Sequence, residues 1–103
     1  MEFELFKTLY TEALEYSDDK EMYIAERGWQ EWMQNYPPAE TLEVVWSLAK
    51  GTIKENREKY NFSRAAFSRR NDIPIRTLEN WDSGVNSPQD YVKMLLDYTL
   101  IDE

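Results

Sequence analysis

Arg64, Arg69, Arg70 and Arg76 fall within a short stretch of the chain, and Asn80 follows them. A guanidinium is a rigid planar fork, suited to bonding phosphate oxygens two at a time. Against a base edge it can bond bidentately to guanine O6 and N7, and asparagine has the matching geometry for adenine N6 and N7. Ile75 and Thr77 flank Arg76, and an isoleucine there can touch a thymine methyl. Glu79 adds an acid to the same neighbourhood, which either accepts from cytosine N4 or repels phosphate. Other chemistries are poorly supplied. The chain has no cysteine and no histidine, which removes disulfides, thiolate and imidazole chemistry and almost every zinc site. The carboxylate pairs Glu12/Glu15 and Asp18/Asp19 lie in alternately charged, solvent-facing segments with no partner base. No catalytic residue, metal or cofactor is expected, and no enzyme.

The arginines need elements to aim them, and Asn61 to Gly84 supplies two short helices and a turn. Ser63 can cap the first helix by accepting from an orphan backbone N–H, and Ala65, Ala66 and Arg69 propagate it. Phe62 and Phe67 are placed for a hydrophobic staple. Asn71 and Asp72 tolerate the left-handed turn that ends a helix, and Pro74 can open the next. The second helix runs to about Asp82 and stops at Ser83-Gly84. Ala66, Phe67, Ile73, Leu78 and Trp81 are the apolar positions, and they fit two helices crossing steeply over one small core. By position Ile75, Arg76, Glu79 and Asn80 point outward, while Leu78 and Trp81 point in.

This run resembles the Xre/Cro-like family of phage and plasmid repressors from Asn61 to Gly84, and more loosely over about residues 50–100. Ser63-Arg64 opens the helix, Ala66-Phe67 packs, Asp72 takes the turn, Ile73 anchors it, and Thr77-Leu78 precedes Trp81-Asp82-Ser83-Gly84. It is also similar to small bacterial proteins, often of mobile elements, that carry a like run after an acidic leader. The resemblance implies a lambda-repressor-like helix-turn-helix domain whose second helix, about 74–82, lies in the major groove. It implies that Arg64 meets phosphate or a flanking base, and that Arg57 pairs with Asp82 as a structural salt bridge. Arg69 and Arg70 are weaker candidates for backbone contacts. Relatives bind pseudo-palindromes as dimers.

Charge complicates the picture. The net charge is −8, against the usual expectation of a basic DNA-binding domain. Residues 1–50 hold 4 basic and 11 acidic residues (−7), and residues 51–103 hold 8 and 9 (−1). Within 54–76 the count is 7 basic against 3 acidic, a local +4. The global charge lowers steering without forbidding local contact.

The rest of the chain reads as helices, so the expected fold is all-α: a helical bundle with an N-terminal helical extension. Residues 2–16 and 20–35 each show an amphipathic stripe, with Gly28 weakening the second and able to divide it. Trp29, Trp32 and Trp46, with Tyr10, Tyr16, Tyr23 and Tyr36, are expected mostly in the core. Pro37-Pro38 is the firm breaker, dividing an acidic module, 1–37, for dimerisation or partner binding from a DNA-binding domain, 38–103. Ala39 to Tyr60 reads as one long helix with Gly51 as a kink or an interruption. Ser87-Pro88-Gln89-Asp90 starts a closing helix to Ile101, with Val92, Leu95, Leu96 and Tyr98 available for packing. No apolar run approaches a membrane span and the N-terminus is acidic, so a cytoplasmic location is expected.

Two functions fit. One is a sequence-specific transcriptional regulator of repressor type, a homodimer on double-stranded DNA. The other is an acidic protein-binding module or inhibitor, of DNA-mimic, anti-defence or antitoxin type, that keeps the helix-turn-helix as scaffold.

Overall fold

The computed structural model describes residues 1–101. All regular structure among them is helical, and the chain separates into two compact units, Met1–Lys50 and Gly51–Glu103. The first unit holds α1 (Phe3–Glu15), α2 (Lys20–Ala25), a 3-10 turn (Glu31–Gln34) and α3 (Pro38–Lys50). The second holds α4 (Ile53–Lys59), α5 (Arg64–Asn71), α6 (Ile75–Asp82) and α7 (Asp90–Ile101).

In the first unit, α1 buries Phe6, Leu9, Tyr10 and Ala13, the one-sided stripe that its spacing predicts. It packs on α3, which buries Leu42, Val45, Trp46, Leu48 and Ala49. Tyr23 of α2 is fully buried, its ring 5.2 Å from that of Trp46, and its hydroxyl donates to the Leu9 carbonyl at 2.8 Å. Burial pushes the Tyr23 phenol far above its usual range, so it stays a neutral donor. The helix expected over 20–35 stops at Ala25. Arg27 folds back and donates Nε and Nη2, both at 3.0 Å, to the Tyr23 carbonyl, occupying an acceptor of the last turn. The backbone beyond it, freed at Gly28, leaves Trp29 68% exposed rather than in the core. Leu14 and Met22 are exposed too, so the buried stripes of α1 and α2 are narrower than their apolar residues suggest.

The long helix expected from Ala39 to Tyr60 is two helices. Thr52 Oγ1 accepts from the Glu55 amide at 3.1 Å and Glu55 accepts from the Thr52 amide at 2.9 Å. That reciprocal capping box starts α4 afresh, so of the two readings of Gly51 the interruption is the one found. Pro37-Pro38 marks where α3 begins, while the chain passes from the first unit to the second between Lys50 and Gly51.

In the second unit three helices end on a left-handed residue. Asn61 (φ 64°) ends α4, Asp72 (φ 52°) ends α5 and Gly84 (φ 80°) follows α6. After α6, the Val85 amide donates to the Asn80 carbonyl at 2.9 Å and the Gly84 amide to Trp81 at 3.2 Å. This paired closure requires a positive φ at residue 84, where glycine carries no Cβ penalty. Ile53, Phe67, Leu78, Met94, Leu96 and Leu100 form the apolar core. Among them sits Asp97, fully buried, with Asn56 Nδ2 at 2.9 Å on one carboxylate oxygen and Lys93 Nζ at 2.7 Å on the other. Holding Asp97 inward fixes the roll of α7, so of the residues available for packing Leu96 is buried while Val92 and Leu95 are each 37% exposed. No helix of the described residues is long and apolar enough to cross a membrane.

Candidate nucleic-acid interface

The turn between α5 and α6 is closed by backbone and side chain together. Ser63 Oγ accepts from the Ala66 amide at 3.0 Å to start α5, and the Phe62 and Phe67 rings lie edge to face at 6.4 Å. At the other end the Asp72 and Ile73 amides both donate to the Ser68 carbonyl, and the Ser68 hydroxyl returns a bond to the Ile73 carbonyl. Pro74 then sets the first φ of the next segment, and its carbonyl accepts from Thr77 at 2.9 Å. The start of α6 is therefore fixed against the end of α5 with little torsional freedom.

Leu78 is fully buried, and Trp81 is half-buried rather than a full core residue. Arg76 and Asn80 stand one helical turn apart on the same face, exposed and half-exposed respectively. Ile75 is 42% exposed, Thr77 is half-buried and Glu79 is exposed. Arg76 and Asn80 are thus displayed side by side from a rigidly seated helix.

The other arginines divide by role. Arg57 is 4% exposed and grips Asp82 with both Nη atoms, at 3.0 and 2.8 Å. This fork ties α4 to the last residue of α6. Arg64 Nε bonds the same Asp82 Oδ2 at 3.1 Å while its side chain stays 42% exposed. One carboxylate, 5% exposed, therefore serves two guanidiniums. Burial alone would push the Asp82 carboxyl up, but the bonds and charges of Arg57 and then Arg64 outweigh it and hold it below its usual range. Because Arg64 uses only Nε, its two Nη groups remain to meet an anion. Arg70 donates Nη2 to the Thr99 carbonyl at 2.7 Å and lies 5.2 Å over the Phe62 ring, a contact between α5 and the end of α7. Arg69 is exposed. At about 100° per residue, Arg64, Arg69 and Arg70 point in three directions from α5. They do not make one continuous strip.

Reading the sequence alone misses two features here. The Arg64–Asp82 bond joins residues far apart in the chain, and nothing local announces it. The seat of Arg70 on Phe62 and Thr99 is equally silent, because its backbone acceptor carries no side-chain signal. No group of histidine, cysteine or acidic residues able to hold a metal is present among the described residues. Comparison with family models, curated proteins and solved structures finds no match for this chain.

Proposed function

We propose that the chain is a sequence-specific DNA-binding regulator of repressor type, of the Xre/Cro-like kind, acting as a homodimer with α6 in the major groove. The observation that carries this reading is the pair Arg76 and Asn80 on one exposed face of a helix whose start is locked by the Asp72–Pro74 turn. An arginine and an asparagine one turn apart suit a guanine and a nearby adenine. Arg64, anchored through Nε, would present its Nη atoms to a phosphate and fix the register of the helix. Ile75 and Thr77 lie at the α6 start, where base edges are met. Arg69 adds a backbone contact, and Arg70 contributes mainly by holding α5 to α7. A cytoplasmic location goes with this role.

The alternative, an acidic inhibitor that mimics nucleic acid, would use the excess of 11 acidic over 4 basic residues in the first unit. It gives Arg76 and Asn80 no task, and the regulator is preferred for that reason. In-vitro selection from a random duplex pool tests the choice, with wild type beside an Arg76→Ala, Asn80→Ala double variant. A pseudo-palindrome should emerge, and the variant should lose discrimination by roughly 1–3 kcal/mol per broken base contact. No enrichment at moderate salt would sink the regulator and leave the acidic unit as the functional surface.

A further inference from the structure

The first unit carries a groove of about 460 Å³ lined by Glu2, Leu5, Glu31, Trp32, Asn35 and Tyr36. Leu5, Trp32 and Tyr36 give it apolar and aromatic surface, and Glu2 and Glu31 add two exposed carboxylates. Neither Glu2 nor Glu31 enters an ion pair among the described residues. The cations of this unit are committed elsewhere: Lys20 to Glu43, Arg27 to Glu12, and Lys50 to the face of Trp46. Of the side-chain cations that leaves Lys7, with the α-amino group of Met1 next to Glu2, against a side-chain charge of −7 for the unit.

The aromatic wall is held in place beforehand. Trp32 Nε1 donates to Gln30 Oε1 at 2.6 Å, and Gln30 Oε1 also receives Arg27 Nη1 at 3.5 Å. Arg27 in turn is anchored to Glu12 and the Tyr23 carbonyl. The indole N–H is therefore satisfied inside the protein, and a fixed ring loses little freedom when a ligand arrives. This same unit twice sets a cation on an aromatic face: Arg27 is 4.8 Å from the Tyr23 centroid and Lys50 is 4.7 Å from that of Trp46.

We infer that the groove receives a lysine or arginine side chain from a basic segment of a partner protein. The aliphatic stem would lie along Leu5 and the aromatic wall, and the charged head would meet Glu2 and Glu31. Charge complementarity selects this occupant: an apolar peptide leaves the two carboxylates unused, and an acidic one meets repulsion. The inference is independent of what α6 reads.

The test is an NMR titration of the full chain with a capped decapeptide of alternating arginine and glycine, beside its glutamate counterpart. The readouts are the four indole N–H signals, assigned through Trp→Phe variants, and the backbone amides. The basic peptide should shift Trp32 and the amides of Leu5 and Tyr36 saturably, while the glutamate peptide leaves them in place. Glu2→Gln and Glu31→Gln, neither of which touches the core, should each weaken binding about three- to fivefold. Unsaturable shifts spread over the whole acidic surface would overturn the proposal, as would an unchanged Trp32 signal. Shifts of Trp32 that follow the protein's own concentration, without peptide, would assign the groove to a second copy and overturn it equally.

Discussion

The two units solve the packing problem differently. The first buries aromatic and aliphatic side chains, with Phe6, Tyr10, Tyr23 and Trp46 among them, and keeps every charged residue out of the fully buried set. Its polar core atom of note is a phenol bonded to a carbonyl. The second unit buries Asn56, Arg57 and Asp97 alongside a smaller apolar set. The difference follows from exposure. A helix that shows Ile75, Arg76, Glu79 and Asn80 outward has one turn of apolar surface left to bury, essentially Leu78 with part of Trp81. Ion pairs then fix position where apolar area is scarce. They add little net stability compared with a hydrophobic replacement, but they hold one geometry and are costly to break from one side.

The largest effect expected from this contrast is at Asp82. Asp82→Ala leaves the buried Arg57 without its partner and should cost about 3–5 kcal/mol, read as a lower urea midpoint. Glu43→Ala removes the exposed Lys20 pair of the first unit and should cost under about 1 kcal/mol. Equal losses at the two sites would mean that the buried pair holds the second unit no more firmly than a surface pair holds the first. Acid should weaken the second unit's pair. The Asp82 carboxyl is held below its usual range in the folded chain, so as pH falls the unfolded chain takes up this proton first. The contribution is complete above about pH 4 and is lost as pH falls through the lower folded value. A stability profile of Asp82→Asn should lack that acid-side decline, whatever its offset in absolute stability.

Much of the second unit is legible in the sequence, for local reasons. Ser63, Asp72, Pro74 and Gly84 each act within a few residues of themselves, and each stands where the spacing predicts. The Arg57–Asp82 bond is expected from the family resemblance, and the geometry contains it. What is not legible depends on competition between signals. Leu42 to Ile53 is a good helical stripe, so the Thr52–Glu55 box inside it reads as part of a longer helix until its bonds are seen. Val92 and Leu95 look like core positions, and Asp97 looks like surface. The pairing of Asp97 with Asn56 and Lys93 reverses that order, and no pattern of hydrophobicity could announce it.

That reversal leaves an apolar strip, with Tyr91 57% and Leu95 37% exposed one turn apart on α7 and Val92 beside them. If the regulator reading holds, this strip and the first unit compete to supply the two-fold contact. Leu95→Lys changes an exposed position and should leave the monomer fold within about 0.5 kcal/mol of wild type. Light scattering should then show monomers if α7 joins the dimer. A dimer that survives the change moves the contact to the first unit and gives that unit an assembly role.

The smallest effects separate arginines that composition treats as equal. Arg69→Ala removes an exposed charge and should leave unfolding within about 0.5 kcal/mol of wild type; on the regulator reading it should also lower the salt slope of DNA binding by about one phosphate contact. Arg70→Ala should do the opposite. Its bond to Thr99 and its seat over Phe62 join α5 to α7, so its loss should cost about 1 kcal/mol with the slope unchanged. Arg64 lies between them: Arg64→Ala should lower the slope as Arg69→Ala does and also loosen Asp82. Lysine at 64 keeps the charge but lacks an Nε that can hold Asp82 while two Nη groups face outward. If Arg64→Lys binds like wild type, the charge alone matters and the shared carboxylate only braces α4 against α6. If it falls toward Arg64→Ala, Asp82 aims the fork as well as anchoring the helix.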